Sequence, residues 1–208
     1  MANVDAAFGL RPVRYKSGAP YQGQSTAYFA TGATGIIAPG DPVKLTGTAN
    51  AAAFGGYPIG TLSQVSLASA GDTNTMVGVC TSVLPVTATS LNYREDSTDR
   101  IIMVADSPDL IFQVQADDDA DATDWAVTVT GLYANLINGT ADTTYGRSIW
   151  ELDGSDNPAQ DYSNQVFLLQ LAKLTGNVLG PFAIWEVMIN LHQHTTGAIS
   201  DAGRFEAI

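Results

Sequence analysis

Between Arg100 and Asp119 the chain shows its clearest pattern of apolar and polar positions. Ile101 to Ala105 is a short unbroken apolar run, which predicts a strand covered on both faces. Ser107-Pro108-Asp109 interrupts it, with Pro108 suited to the second position of a type I turn. Strict alternation follows. Leu110, Phe112, Val114 and Ala116 fall on one side, and Ile111, Gln113, Gln115 and Asp117 on the other, as in a half-buried strand. The stretch reads as two strands and a tight turn, a central hairpin.

The same reasoning carries along the chain. Thr26–Ala30, Val43–Leu45 and Met76–Leu84 read as strands, with Gly78 allowing close approach or a bulge. Trp125, Val127 and Val129 alternate with small or polar residues, predicting another strand. Asn138-Gly139 is a hairpin-turn signal. Val166–Leu174 is apolar on all sides and suits either a strand or a short helix. In Phe182–His194 a period of two places Trp185, Val187, Ile189 and Leu191 on one face. Glu186, Asn190, His192 and His194 share the other. Residues 1–25 mix Phe8, Leu10, Pro12, Val13 and Tyr15 with glycines and prolines, which excludes a helix. They are too apolar for a solvated tail. Two arrangements follow: an edge strand on the chain's own domain, or an arm lying across a partner; the second is the expectation, and on it removal of residues 1–20 leaves a folded protein. The expected organisation is an extended N-terminal arm, 1–25, and a β-rich domain, 26–208. The fold class is mainly β, a compact barrel or sandwich of jelly-roll-like or β-tulip-like type.

Composition sharpens this picture. Charged residues are 14% of the 208, with 20 Gly and 9 Pro, as in a turn-rich β protein with surface for another chain to cover. The net charge of −12 argues against nucleic acid, whose binding needs clustered cations. Arg11, Arg14 and Lys16 nevertheless lie together near the start. No apolar stretch is long enough for a membrane-spanning helix, and the N-terminus lacks the basic and apolar regions of an export signal. The chain is therefore expected to be made in a cytoplasm, with no membrane partner. Cys80 excludes an internal disulfide and reads as a buried thiol.

Candidate chemistry is sparse. Asp117, Asp119 and Asp121 have the spacing that opens an EF-hand loop, but Ala122 and Thr128 stand where that loop needs Gly and Glu. A solvated acidic turn is the expectation. His192 and His194 would share a strand face, yet two ligands do not make a metal site. Glu186 lies about 20 Å from His192 along a strand. Asn138-Gly139-Thr140 is a formal glycosylation sequon, read as a turn. No nucleophile elbow, P-loop or dinucleotide fingerprint occurs. The expectation is a non-enzyme with no cofactor and no metal.

Several segments together resemble a group of tailed-phage virion proteins. They are MANVDAAFGLRPVRY at the start, GDPVKLTG at Gly40–Gly47, PIG around Ile59, VGVCTSV at Val77–Val83, VADSPDLIFQVQAD at Val104–Asp117, and VMINLHQH at Val187–His194. Their order matches the group, and region 130–165 departs most. The resemblance implies a head decoration, or cement, protein: a β-rich homotrimer on the capsid exterior, bound to the major capsid protein and locking capsomers together. Candidate contacts with the capsid or a neighbouring subunit are Phe8, Arg11, Pro12, Arg14 and Tyr15. The alternatives are a minor tail or head–tail connector protein, or a carbohydrate-binding or hydrolytic β domain of a phage tail, which a cleft with paired carboxylates and stacked Trp would favour.

Overall fold

The computed structural model describes residues 3–121 and 125–195. The chain is almost all β. Five strands close into a barrel: β2 (Thr26–Ala30), β3 (Pro42–Ala49), β4 (Ser63–Leu67), β5 (Gly78–Val83) and β6 (Arg100–Ala105). Their order is β2-β4-β3-β5-β6, and only β2 and β4 run parallel. Val43, Val65, Cys80, Ile102 and Val104 belong to the cluster that fills this barrel. Gly78 is needed where β5 crosses β6, because a Cβ there would strike the Ala105 carbonyl.

A second sheet packs against the barrel. It holds β1 (Arg11–Tyr15), β7 (Leu110–Gln115), β8 (Tyr133–Ala134), β11 (Val166–Leu171) and β12 (Ile184–Ile189), in the order β1-β7-β12-β11-β8. A small pair, β9 (Leu136–Ile137) with β10 (Glu151–Leu152), lies beside it. The main core joins Phe112, Val114, Leu168 and Val187 of the sheet to Met76, Val79 and Ala105 of the barrel side. Trp125, Trp150 and Trp185 are all fully buried there.

Several expectations are corrected. The two strands flanking Pro108 do not form a hairpin. β6 pairs with β2 and β5, whereas β7 pairs with β1 and β12, so the turn carries the chain from barrel to sheet. Nor is β7 half-buried: every residue in it is buried. Its apolar face enters the core as read, and its polar face is covered by the chain's own N-terminal segment. The Gln115 amide donates to the carbonyls of Val4 (2.8 Å) and Phe182 (3.0 Å), and its oxygen accepts from the Ala6 N–H (2.9 Å).

Trp125–Thr130 is not a strand but a turn with a short 3-10 segment, Val127–Val129. Trp125 and Val129 are buried while Val127 is 73% exposed. Asn138-Gly139 does not close a two-residue hairpin. β9 and β10 are separated by a long excursion, and Gly139 is required because a Cβ would meet Ile149. Val166–Leu171 resolves as a strand.

The N-terminal segment is extended and seated on its own chain. β1 pairs with β7, and Leu10 is buried in the main core. The outer edge of β1 is also taken. Tyr21 N–H donates to the Val13 carbonyl (3.0 Å) and Tyr15 N–H to that of Ala19 (2.8 Å). A covered edge does not accept a strand from a neighbour.

Candidate functional site

The five candidate contact residues do not act as one group. Phe8 and Arg11 come together: the Arg11 guanidinium lies 4.9 Å from the Phe8 ring centroid and donates to Gln113 Oε1 (2.7 Å). Such stacking over an aromatic face is a cation–π contact. Both residues border two open hollows. One, of about 420 Å³, is also lined by Val4, Leu174, Phe182 and Ile184. The other, of about 330 Å³, takes in Pro12, Tyr21 and Pro39.

Arg14 and Tyr15 are engaged internally. Arg14 Nη2 pairs with Glu186 Oε2 at 2.6 Å, and Gln170 Nε2 donates to the same oxygen (2.8 Å). The guanidinium read as a partner for another protein's carboxylate is therefore neutralised by β12. Tyr15 packs against the main core. Val4, Leu174 and Phe182 were not singled out from the sequence. The only local signal was Gly180-Pro181-Phe182, where an aromatic follows Pro at a turn position that favours glycine.

The histidines lie past the end of β12 rather than on its face. His192 Nδ1 accepts from the His194 N–H (3.0 Å), and the rings are 5.5 Å apart. Asp106 Oδ2 accepts from the Tyr28 hydroxyl (2.8 Å) and lies 4.0 Å from His194 Nδ1. Burial, and then the neighbouring His194, push His192 down to about 4. Asp41, buried immediately before β3, accepts from the Ala38 N–H (2.8 Å), and burial raises it to about 6.

These two shifts oppose each other. A histidine with a lowered folded pKa binds fewer protons than the unfolded chain, so its contribution falls as pH drops from about 6.5 to 4. A carboxyl with a raised folded pKa does the reverse, adding stability as pH drops from about 6 to 4. Comparing denaturant unfolding at pH 7 and pH 4 cancels costs that do not depend on pH. The change on acidification should be more favourable than in the parent by roughly 3 kcal/mol in His192→Gln, and less favourable by roughly 2–3 kcal/mol in Asp41→Asn. Parallel pH profiles for all three proteins would refute both assignments.

In the acidic turn, Asp117, Asp118 and Asp119 bring carboxylate oxygens within 4.8 Å of one another. Asp117 caps the turn, with Oδ1 accepting from the N–H groups of Asp119 (3.1 Å) and Gly154 (2.9 Å). Burial, and then Asp5, Asp117 and Asp118, raise Glu151 to about 7. Such a cluster could hold a cation, but two of its three carboxylates are exposed. Ala122, on which the EF-hand comparison partly turned, lies outside the described residues. Cys80 is buried inside the barrel, and burial pushes its thiol up. Among the described residues no helix is long and apolar enough to cross a membrane. Compared with protein families, curated proteins and solved structures, the chain matches none.

Proposed function

We propose that this chain is a structural virion protein, a cement or decoration protein that binds the outer surface of a phage capsid as a homotrimer and stabilises contacts between capsomers. The observation that carries this reading is the ordered set of segments, from MANVDAAFGLRPVRY to VMINLHQH, that resembles such proteins across most of the chain. The β architecture agrees with it in kind. A decoration protein works through side-chain contact surface repeated at many sites on a shell, which multiplies a modest affinity. Three-fold positions between capsomers suit a trimer.

The hydrolytic or sugar-binding alternative lacks support from one of its two expected features, a stacked tryptophan, because all three tryptophans are buried in the core. Cryo-electron microscopy of shells of the major capsid protein incubated with excess purified chain tests the proposal. Trimeric density on the outer surface between capsomers is expected. Bare shells, together with a monomeric mass by light scattering, would overturn it.

A further inference from the structure

The larger hollow beside Phe8 and Arg11 has the make-up of a docking groove. Its rim is apolar and open: Val4 is 74% exposed and Leu174 41%. The side chain of Asn3 ties this rim together. Its Nδ2 donates to the carbonyls of Val178 and Pro181 (both 2.8 Å), and its Oδ1 accepts from the Val178 N–H (3.1 Å). Val178 adds a further exposed apolar side chain, at 47%.

One wall is held at a conformational cost. Phe182 has φ +60°, at the third position of a turn in which the Ala183 N–H donates to the Gly180 carbonyl (3.2 Å). Glycine suits that position and a bulky side chain is strained there. What the phenylalanine adds over glycine is a ring facing the groove and partly open to solvent.

The charge is specific. Arg14 has a carboxylate of its own in Glu186, whereas Arg11 is held only by the neutral Gln113 and the Phe8 ring. Among the described residues no carboxylate lies within ion-pairing distance of Arg11. Its guanidinium is thus oriented, partly exposed and not neutralised, on a chain of net charge −12. A guanidinium so placed favours an incoming carboxylate.

We propose that this groove docks an extended segment of a second, different polypeptide, one that presents a large apolar side chain next to a carboxylate. The apolar group sits against Phe182 and Leu174, and the carboxylate pairs with Arg11. On the reading of the chain as a decoration protein, on which this rests, the segment belongs to the shell protein. Docking goes through side chains, since the outer edge of β1 is already paired.

The test uses the full-length chain and 3-phenylpropionate, a phenyl ring bearing a carboxylate, followed by NMR amide shifts. Saturable shifts at Val4, Phe8, Thr175 and Phe182 are expected. The uncharged 3-phenylpropanol, and Arg11→Gln with the acid, should each bind about tenfold more weakly, the loss of one charge-assisted hydrogen bond. Leu174→Glu should abolish the shifts. Phe182→Gly should also abolish them without lowering the thermal midpoint, because a strained backbone position is relieved as the wall is lost. Shifts that map elsewhere, or equal affinity for acid and alcohol, would overturn the proposal.

Two other occupants are separable. If Phe205→Ser with Glu206→Gln tightens binding of the acid, the chain's own C-terminal residues compete for the groove, and the proposal fails. If Leu174→Glu lowers the mass seen by light scattering, the occupant is a second copy, and it fails likewise. The probe test needs no capsid. Bare shells and a monomeric mass with intact probe binding would remove the decoration reading, and with it the shell protein as occupant, but not the groove, whereas absent probe binding with decorated shells would remove the groove alone.

Discussion

Deleting residues 1–20 should leave a chain that no longer folds to a soluble, cooperative unit. The deletion removes β1 and the Leu10 side chain, which is 1% exposed within the main core. Burying a leucine contributes roughly 1.5–3 kcal/mol. The Arg14–Glu186 pair goes too, leaving Glu186, 8% exposed, without its cation. Stripping the partner from a nearly buried charge costs more than the pair contributes when intact. The edge of β7 that pairs with β1 is freed and becomes a template for pairing with other chains. These losses together approach the whole margin of a typical domain, about 5–15 kcal/mol. Thermal unfolding followed by circular dichroism, with size-exclusion chromatography, decides the matter. A monodisperse truncated chain with an unfolding midpoint near the parent's would show that the segment adds nothing to its own domain.

Arg94→Met should destabilise the protein by roughly 3–5 kcal/mol, as breaking a buried charged network does. Arg94 is fully buried in a stretch that reads as a polar loop. Its Nε donates to the Thr98 carbonyl (2.8 Å), and Nη1 donates to Thr34 Oγ1 (2.9 Å) and the Gly35 carbonyl (2.6 Å). Nη2 donates to the Gly32 carbonyl. One guanidinium thus joins the loop after β2 to the loop before β6, while the backbones of Ile37 and Arg94 exchange hydrogen bonds of 3.0 and 2.7 Å. Burial lowers its pKa, and Asp96 and Asp99 act the other way. Methionine keeps the volume and the apolar stem but leaves three carbonyls without that donor, each worth about 1–3 kcal/mol when buried. Equilibrium urea unfolding measures the loss. A change below about 1 kcal/mol would mean that water replaces the guanidinium, and that the network is solvated rather than sealed.

What the sequence showed, and what it hid, divides along the range of the interactions involved. Alternation located β7 and β12 and named their inward residues, because a strand's faces depend only on its own neighbours; Val166–Leu174, apolar on all sides, was settled as β11 only by its pairing with β12 and β8. Pairing is a different matter. Nothing in Ser107-Pro108-Asp109 distinguishes a hairpin turn from a passage between a barrel and a sheet, since both need only a tight reversal or bend. The burial of Gln113 and Gln115 was equally hidden, because their cover comes from Arg11, Val4 and Ala6, about a hundred positions away. At the candidate site, Phe8 and Arg11 were visible as an aromatic and a cation in an otherwise acidic chain. The rest of the groove comes from Leu174 and Phe182, which reach it only through the fold.

The complete burial of all three tryptophans also has an optical consequence. With the rings of Trp125 and Trp185 6.0 Å apart, edge to face, and Trp150 in the same core, every indole chromophore of the chain sits in a dry, fixed setting. Intrinsic fluorescence should therefore be blue-shifted and resistant to quenching by iodide, which does not penetrate a packed interior. It will respond in full when the sheet separates from the barrel and stay silent to events at the outer surface. Emission alone then separates a ligand that docks from one that opens the fold.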